Sequence, residues 1–170
     1  MGVTIHYEGK LKSVNDFNDV IEIIQEFSEL NNMAYSVFEE SEKLLNRVKD
    51  EQEWDYVSSV KGIRLQPHEN TDPLIFEFDE NYYIQDYCKT QFADIDIHIK
   101  IISILRKIAS HFEDLIVIDE GEYWDTSDKE YLQQLIDDCF DKINEVKSQN
   151  INMEGPFRIK SGRIIDLMEN

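Results

Sequence analysis

Basic residues, glycine and cysteine are all scarce in this chain of 170 residues, and each scarcity narrows what it can do. Lys and Arg number 17 against 36 Asp and Glu, for a net charge of −19. Such a surface repels phosphate backbones and anionic lipids, so neither nucleic acid nor a membrane is expected as a partner. It suits basic protein partners or cations instead. The 6 glycines form no Gly-rich loop, which leaves a phosphate site unsupported. The 2 cysteines, Cys88 and Cys139, fit buried thiols in a reducing compartment better than a disulfide framework, and a cytoplasmic location follows as the expectation. No apolar run approaches the roughly 20 residues that span a bilayer. The start, Met1-Gly2-Val3-Thr4-Ile5-His6, lacks the basic and apolar segments of a signal peptide. Gly2 raises N-myristoylation, but Ile5 and His6 lead into a strand, which argues against it.

What the chain does have is core material. Aromatic residues make up 11% of it, and a chain of this length folds as one domain burying roughly 70% of its unfolded surface. Val3, Ile5, Tyr7 and Leu11 alternate with polar residues and predict a strand. Phe17, Val20, Ile21, Ile24, Phe27 and Leu30 repeat at three and four, predicting a helix over 16–31. A second strand is expected over 34–40. Residues 41–53 are charged, with Leu44, Leu45 and Val48 at helical spacing, and suit a short surface helix or a mobile connection. Strand character returns over 54–66, with Gly62 marking a bulge or a close approach. The runs 74–79 and 82–89 flank the polar Asp79-Glu80-Asn81, which predicts an antiparallel hairpin.

The segment 94–112 holds both a strand-like Ile alternation and a helical repeat. Its length without Gly or Pro favours helix, with Asp94 and Asp96 at the positive end. Leu115 to Ile118 is expected as a short buried strand. Ser127-Asp128-Lys129-Glu130 has the form of a capping box, and the strongest amphipathic pattern follows it. The main body is expected at 1–147. The tail, 148–170, is expected to form a small hairpin or an edge strand. An α+β two-layer domain results, with a mostly antiparallel sheet and helices on one face, in the order strand, helix, four strands, helix, strand, helix. That order is similar to the TATA-binding-protein-like arrangement, an analogy of fold that carries no DNA-binding content.

Several constellations carry chemistry. Asp94-x-Asp96-x-His98 is metal-like on a strand, where all three side chains share a face. On a helix only Asp94 and His98 share one, and the aspartates then suit the helix start. Asp119-Glu120-Gly121-Glu122, with Asp125 and Asp128, crowds oxygens that hard cations favour, though without EF-hand spacing. Crowding also raises carboxylate pKa values toward general-acid range. Tyr123 and Trp124 form an aromatic partner contact if exposed, and anchor the loop if buried. Lys89-Thr90-Gln91 offers an ammonium and N–H groups to an anion, or caps the next helix. Nothing selects Cys88 with His68 or His98 as a nucleophile and base over a buried thiol.

The segments Lys61-Gly62-x-x-Leu65-x-Pro67-His68, Pro73-Leu74, Lys89-Thr90-Gln91-Phe92, His98 and Asp119-Glu120-Gly121-x-Tyr123-Trp124-x-Thr126 together resemble a family of uncharacterised bacterial proteins of similar size. The resemblance spans 61–128 and brings no activity, cofactor or partner. It implies that Lys89, Gln91, His98, Asp119 and Glu120 converge as a candidate site. Two functions stand as expectations. One is a non-enzymatic module that engages a basic protein partner through its acidic surface, as a toxin-neutralising or immunity protein would. The other is a metal-assisted enzyme built around His98, Asp119 and Glu120. Neither requires a named cofactor, and dimerisation through the Ile-rich helix or the tail stays open.

Overall fold

The computed structural model describes residues 2–169; Met1, where the N-terminal reading begins, and Asn170, the last residue of the tail, lie outside the described residues. The chain is α+β, and every strand pair in it is antiparallel. Strand β1 (Thr4–Lys10) buries Ile5 and Tyr7 and turns His6 and Glu8 outward, as its period of two requires. Helix α1 (Val14–Leu30) starts at Ser13, whose hydroxyl accepts the Asp16 N–H at 3.2 Å, and buries Phe17, Val20 and Ile24.

Strands β2 (Ala34–Lys49) and β3 (Gln52–Gln66) form one long hairpin that corrects the reading of 41–53 as helix or mobile connection. A two-residue turn, Asp50-Glu51, closes it with both residues at positive φ (51° and 63°). Leu45 and Arg47 face inward and are buried, whereas Leu44 and Val48 point out to solvent. Helical spacing of apolar residues here reflected two faces of an arm, not one face of a helix. A register shift between Glu40 and Lys43 lets the arm bend.

Strand β4 (Leu74–Phe78) pairs with the base of β3, and the close approach expected at Gly62 occurs there. A Cβ on Gly62 would sit 1.7 Å from the Phe76 carbonyl oxygen. The turn from β4 into β5 (Tyr83–Lys89) forms, with Asp79 Oδ1 accepting the N–H groups of Asn81 and Tyr83 at 2.8 and 3.0 Å. The expected hairpin does not. β4 stays with β3, while β5 crosses to pair with β1.

Helix α2 (Ile95–Ile108) runs into a 3-10 turn at Ala109–His111. Strand β6 (Ile116–Asp119) then pairs with the other side of β1. It is not the buried strand expected: Ile116 and Ile118 are 46% and 61% exposed. A helical turn, α3 (Tyr123–Thr126), leads to α4 (Lys129–Gln149). The α4 cap is Asp128, whose carboxylate accepts the Tyr131 N–H at 3.0 Å. Ser127, the first residue of the expected capping box, adopts a left-handed backbone and takes a hydrogen bond from Arg106 instead.

Past α4, β7 (Met153–Glu154) pairs with β10 (Met168–Glu169), and β8 (Phe157–Arg158) pairs with β9 (Ile164–Ile165). The ten strands among the described residues thus divide into two three-stranded sheets, β5-β1-β6 and β2-β3-β4, and two two-stranded ladders. One core joins both larger sheets to α1, α2 and α4; Phe17 and Leu105 lie inside it and Phe140 packs against it. No helix among the described residues is long and apolar enough to cross a membrane.

Candidate functional site

Three consecutive residues at the end of β5 feed two separate polar knots. Thr90 points toward α2, where its hydroxyl lies 2.6 Å from His98 Nδ1 and 3.3 Å from the Val3 carbonyl. On the far side of the ring, Asp119 Oδ1 lies 2.9 Å from His98 Nε2. That is charge-contact distance, off the line an aligned hydrogen bond needs. Asp119 also accepts the N–H groups of Gly121 and Trp124 at 2.8 and 2.9 Å. Burial alone pushes the Asp119 carboxyl up. The His98 ring and these two N–H groups outweigh it and hold the carboxyl below its ordinary range.

A histidine between a hydroxyl and a carboxylate has the composition of a proton relay. Here it is sealed, since the side chains of His98 and Asp119 are wholly out of solvent and Thr90 is 1% exposed. Gly121 closes the remaining side. A methyl there would come 2.9 Å from His98 Cε1 and 2.6 Å from a Leu132 methyl carbon. With no room for a substrate against the ring, the knot clamps the ends of β5 and β6 to the first turn of α2.

Lys89 and Gln91 turn the other way and meet at Asp166. The ammonium reaches its carboxylate at 2.6 Å and the Gln91 amide at 3.0 Å, while Gln91 Oε1 accepts the Val3 N–H. Glu120 joins neither knot; it pairs with His6 at 3.0 Å on the open surface. The five candidate residues are therefore split three ways. Asp94 and Asp96 sit at the start of α2, and among the described residues no group of three His, Cys, Asp or Glu side chains is placed to hold a metal. Cys88 and Cys139 are free and buried, and burial pushes both thiols up, Cys88 most. Tyr123 is buried and Trp124 partly so. Arg106 stacks over both rings and donates to both of their carbonyl oxygens, which anchors the loop.

Residues that sequence reasoning passed over hold the second knot together. Asp72, 1% exposed, accepts the N–H of Lys89 at 3.0 Å and of Ile164 at 2.7 Å. Arg163 bonds Asp86 at 2.5 Å and the Tyr87 carbonyl, and its guanidinium covers the Tyr87 ring. No local signal could have found the contacts to the C-terminal segment, because those partners are separated by 76 to 92 residues.

One hollow, of about 770 Å³, borders the second knot at Asp72, Lys89, Arg163 and Asp166, and another lies on the outward face of β1. There the outward face of β5-β1-β6 presents His6, Glu8, Tyr87, Ile116 and Ile118, and the β2 arm overhangs it through residues 43–48. Between them is a groove of about 510 Å³. Gln85 holds the arm in place by bonding the Val48 N–H and carbonyl at 2.7 and 2.8 Å, and Arg47 reaches the Gln85 carbonyl at 2.6 Å. The groove mixes apolar walls with paired charges such as Lys43–Glu77. Comparison with protein-family models, with curated proteins and with solved structures gives no match, so the functional reading rests on this geometry.

Proposed function

We propose that the chain is a non-enzymatic protein-binding module that engages a basic partner, with a toxin-neutralising or immunity role as one instance. The observation that supports this reading is the groove beneath the β2 arm. Leu44, Tyr87, Ile116 and Ile118 are all 43% exposed or more around it, on a chain of net charge −19. Large apolar side chains clustered on an open surface belong to interfaces more often than to solvent, and the net negative charge of the whole chain favours a basic protein as the partner. The sealed His98 ring offers no reacting group to a substrate, and no observation favours the metal-assisted alternative.

The test is capture from lysate at low salt, using the intact chain, Leu44→Lys, Ile118→Lys and a control, Gln133→Lys, on the exposed side of α4. A basic protein retained by the intact chain and the control, and lost from both groove variants, is the expected result. Retention of the same proteins by all four baits would overturn the reading.

A further inference from the structure

The two outer edges of the β5-β1-β6 sheet are treated in opposite ways. Along β5 the outward backbone groups are closed by side chains: Arg47 takes the Gln85 carbonyl, Arg163 the Tyr87 carbonyl, and Asp72 the Lys89 N–H. Along β6 no described residue does this. The Glu120 N–H bonds the Thr4 carbonyl at 3.0 Å, which sets the parity of the ladder, so Ile118 and Ile116 bond inward to β1. The N–H and carbonyl of Val117 therefore point away from the sheet. On either side of Val117 stand Ile116 and Ile118, 46% and 61% exposed on the groove face. Beyond them the strand is bracketed by exposed acids, Asp114 before it and Glu120 after it. An open edge flanked by bulky apolar residues is a template for an added strand.

We propose that the outer edge of β6 receives an extended, basic segment of a partner protein as an added strand, an inference that rests on the protein-binding reading above. Charge selects the occupant. If a second copy paired antiparallel through its own β6 about Val117, Asp114 would face Glu120 of the copy at both ends, and like charges directly opposite destabilise a ladder. A segment with apolar residues at two central alternate positions, and Lys or Arg two residues further out at each end, keeps all four side chains on one face, so its apolar side chains meet Ile116 and Ile118 and its cations meet Asp114 and Glu120. With only four residues in β6, few ladder bonds form, so apolar contact and charge must supply much of the affinity.

The probe is an acetylated, amidated peptide of sequence lysine-threonine-valine-threonine-valine-threonine-lysine, whose lysines and valines share one face when extended, titrated into the intact chain with amide exchange and backbone NMR as readouts. Binding on the order of 0.1 mM, protection of the Val117 amide, and a roughly tenfold weakening when salt rises from about 0.05 to 0.5 M are expected. Val117→Pro, which removes the outward donor, and Ile118→Lys, which keeps the backbone intact, should each weaken binding at least tenfold. No binding at millimolar peptide, binding that leaves the Val117 amide unprotected, equal binding of the glutamate-for-lysine peptide, or dimerisation through β6 on sizing would each overturn the proposal. Leu44 lies on the arm across the groove and contributes no backbone group to this edge. A lysate partner lost from Leu44→Lys but indifferent to Val117→Pro would therefore sink the edge proposal alone and leave the protein-binding reading standing.

Discussion

The guanidinium of Arg163 lies 2.5 Å from the carboxylate of Asp86, 77 residues away in the chain, and holds the C-terminal segment against β5. Burial pushes the Asp86 carboxyl above its ordinary range, and Arg163 is the main influence pulling it back. Arg163→Ala should cost about 2–3 kcal/mol at neutral pH, because it leaves a desolvated carboxylate without its partner. The sign with pH follows. A carboxyl raised in the folded state destabilises the fold once it is ionised, and the penalty is relieved as it takes a proton. The gap between variant and parent in urea denaturation should thus begin to shrink while pH is still above the ordinary carboxylate range. A gap that stays constant from pH 7 down to pH 4.5 would contradict the assignment.

Asp119 behaves in the opposite sense. Its carboxyl is held low in the folded state, so its stabilisation is complete above the unfolded carboxylate pKa and is lost as pH falls through the lower folded value. Asp119→Asn keeps the shape but removes the charge facing His98 and two backbone N–H groups. On the order of 2 kcal/mol should be lost at pH 7. Here the gap closes only below the ordinary carboxylate range, because the parent is the one that weakens. Chemical denaturation across acid pH separates the two carboxylates.

The Asp50-Glu51 turn carries avoidable strain, since both residues adopt the left-handed backbone that asparagine and glycine tolerate best. Replacing the pair by Asn-Gly should stabilise the chain by roughly 0.5–1 kcal/mol, read as a higher Tm with an unchanged far-UV spectrum. A lower Tm would mean that this turn's backbone geometry is not what limits the arm.

The same turn explains where sequence reading stopped. A two-residue hairpin loop is recognised by Asn-Gly or Asp-Gly, and Asp-Glu gives no such signal. The arm behind it has both faces largely in solvent, so the apolar alternation that marks a half-buried strand is missing. The β4–β5 misreading has a different cause. A turn between two alternating runs is visible locally, but whether those runs pair with each other depends on strands elsewhere in the chain. The candidate residues were legible as residue types; their grouping was not. Lys89 and Gln91 flank Thr90 and leave the chain on the opposite face from it, and the choice of Asp166 or His98 as partner follows from that direction.

By itself the sequence determined the α+β class, the helices at α1, α2 and α4, and the negative charge, because periodicity and composition act within a few turns of chain. Only the tertiary structure decided that His98 and Asp119 are sealed, that Asp72 and Arg163 close one sheet edge, and that β6 leaves the other open. Each of those depends on groups far apart in the chain meeting in space, and distance along the chain holds no record of which ones do.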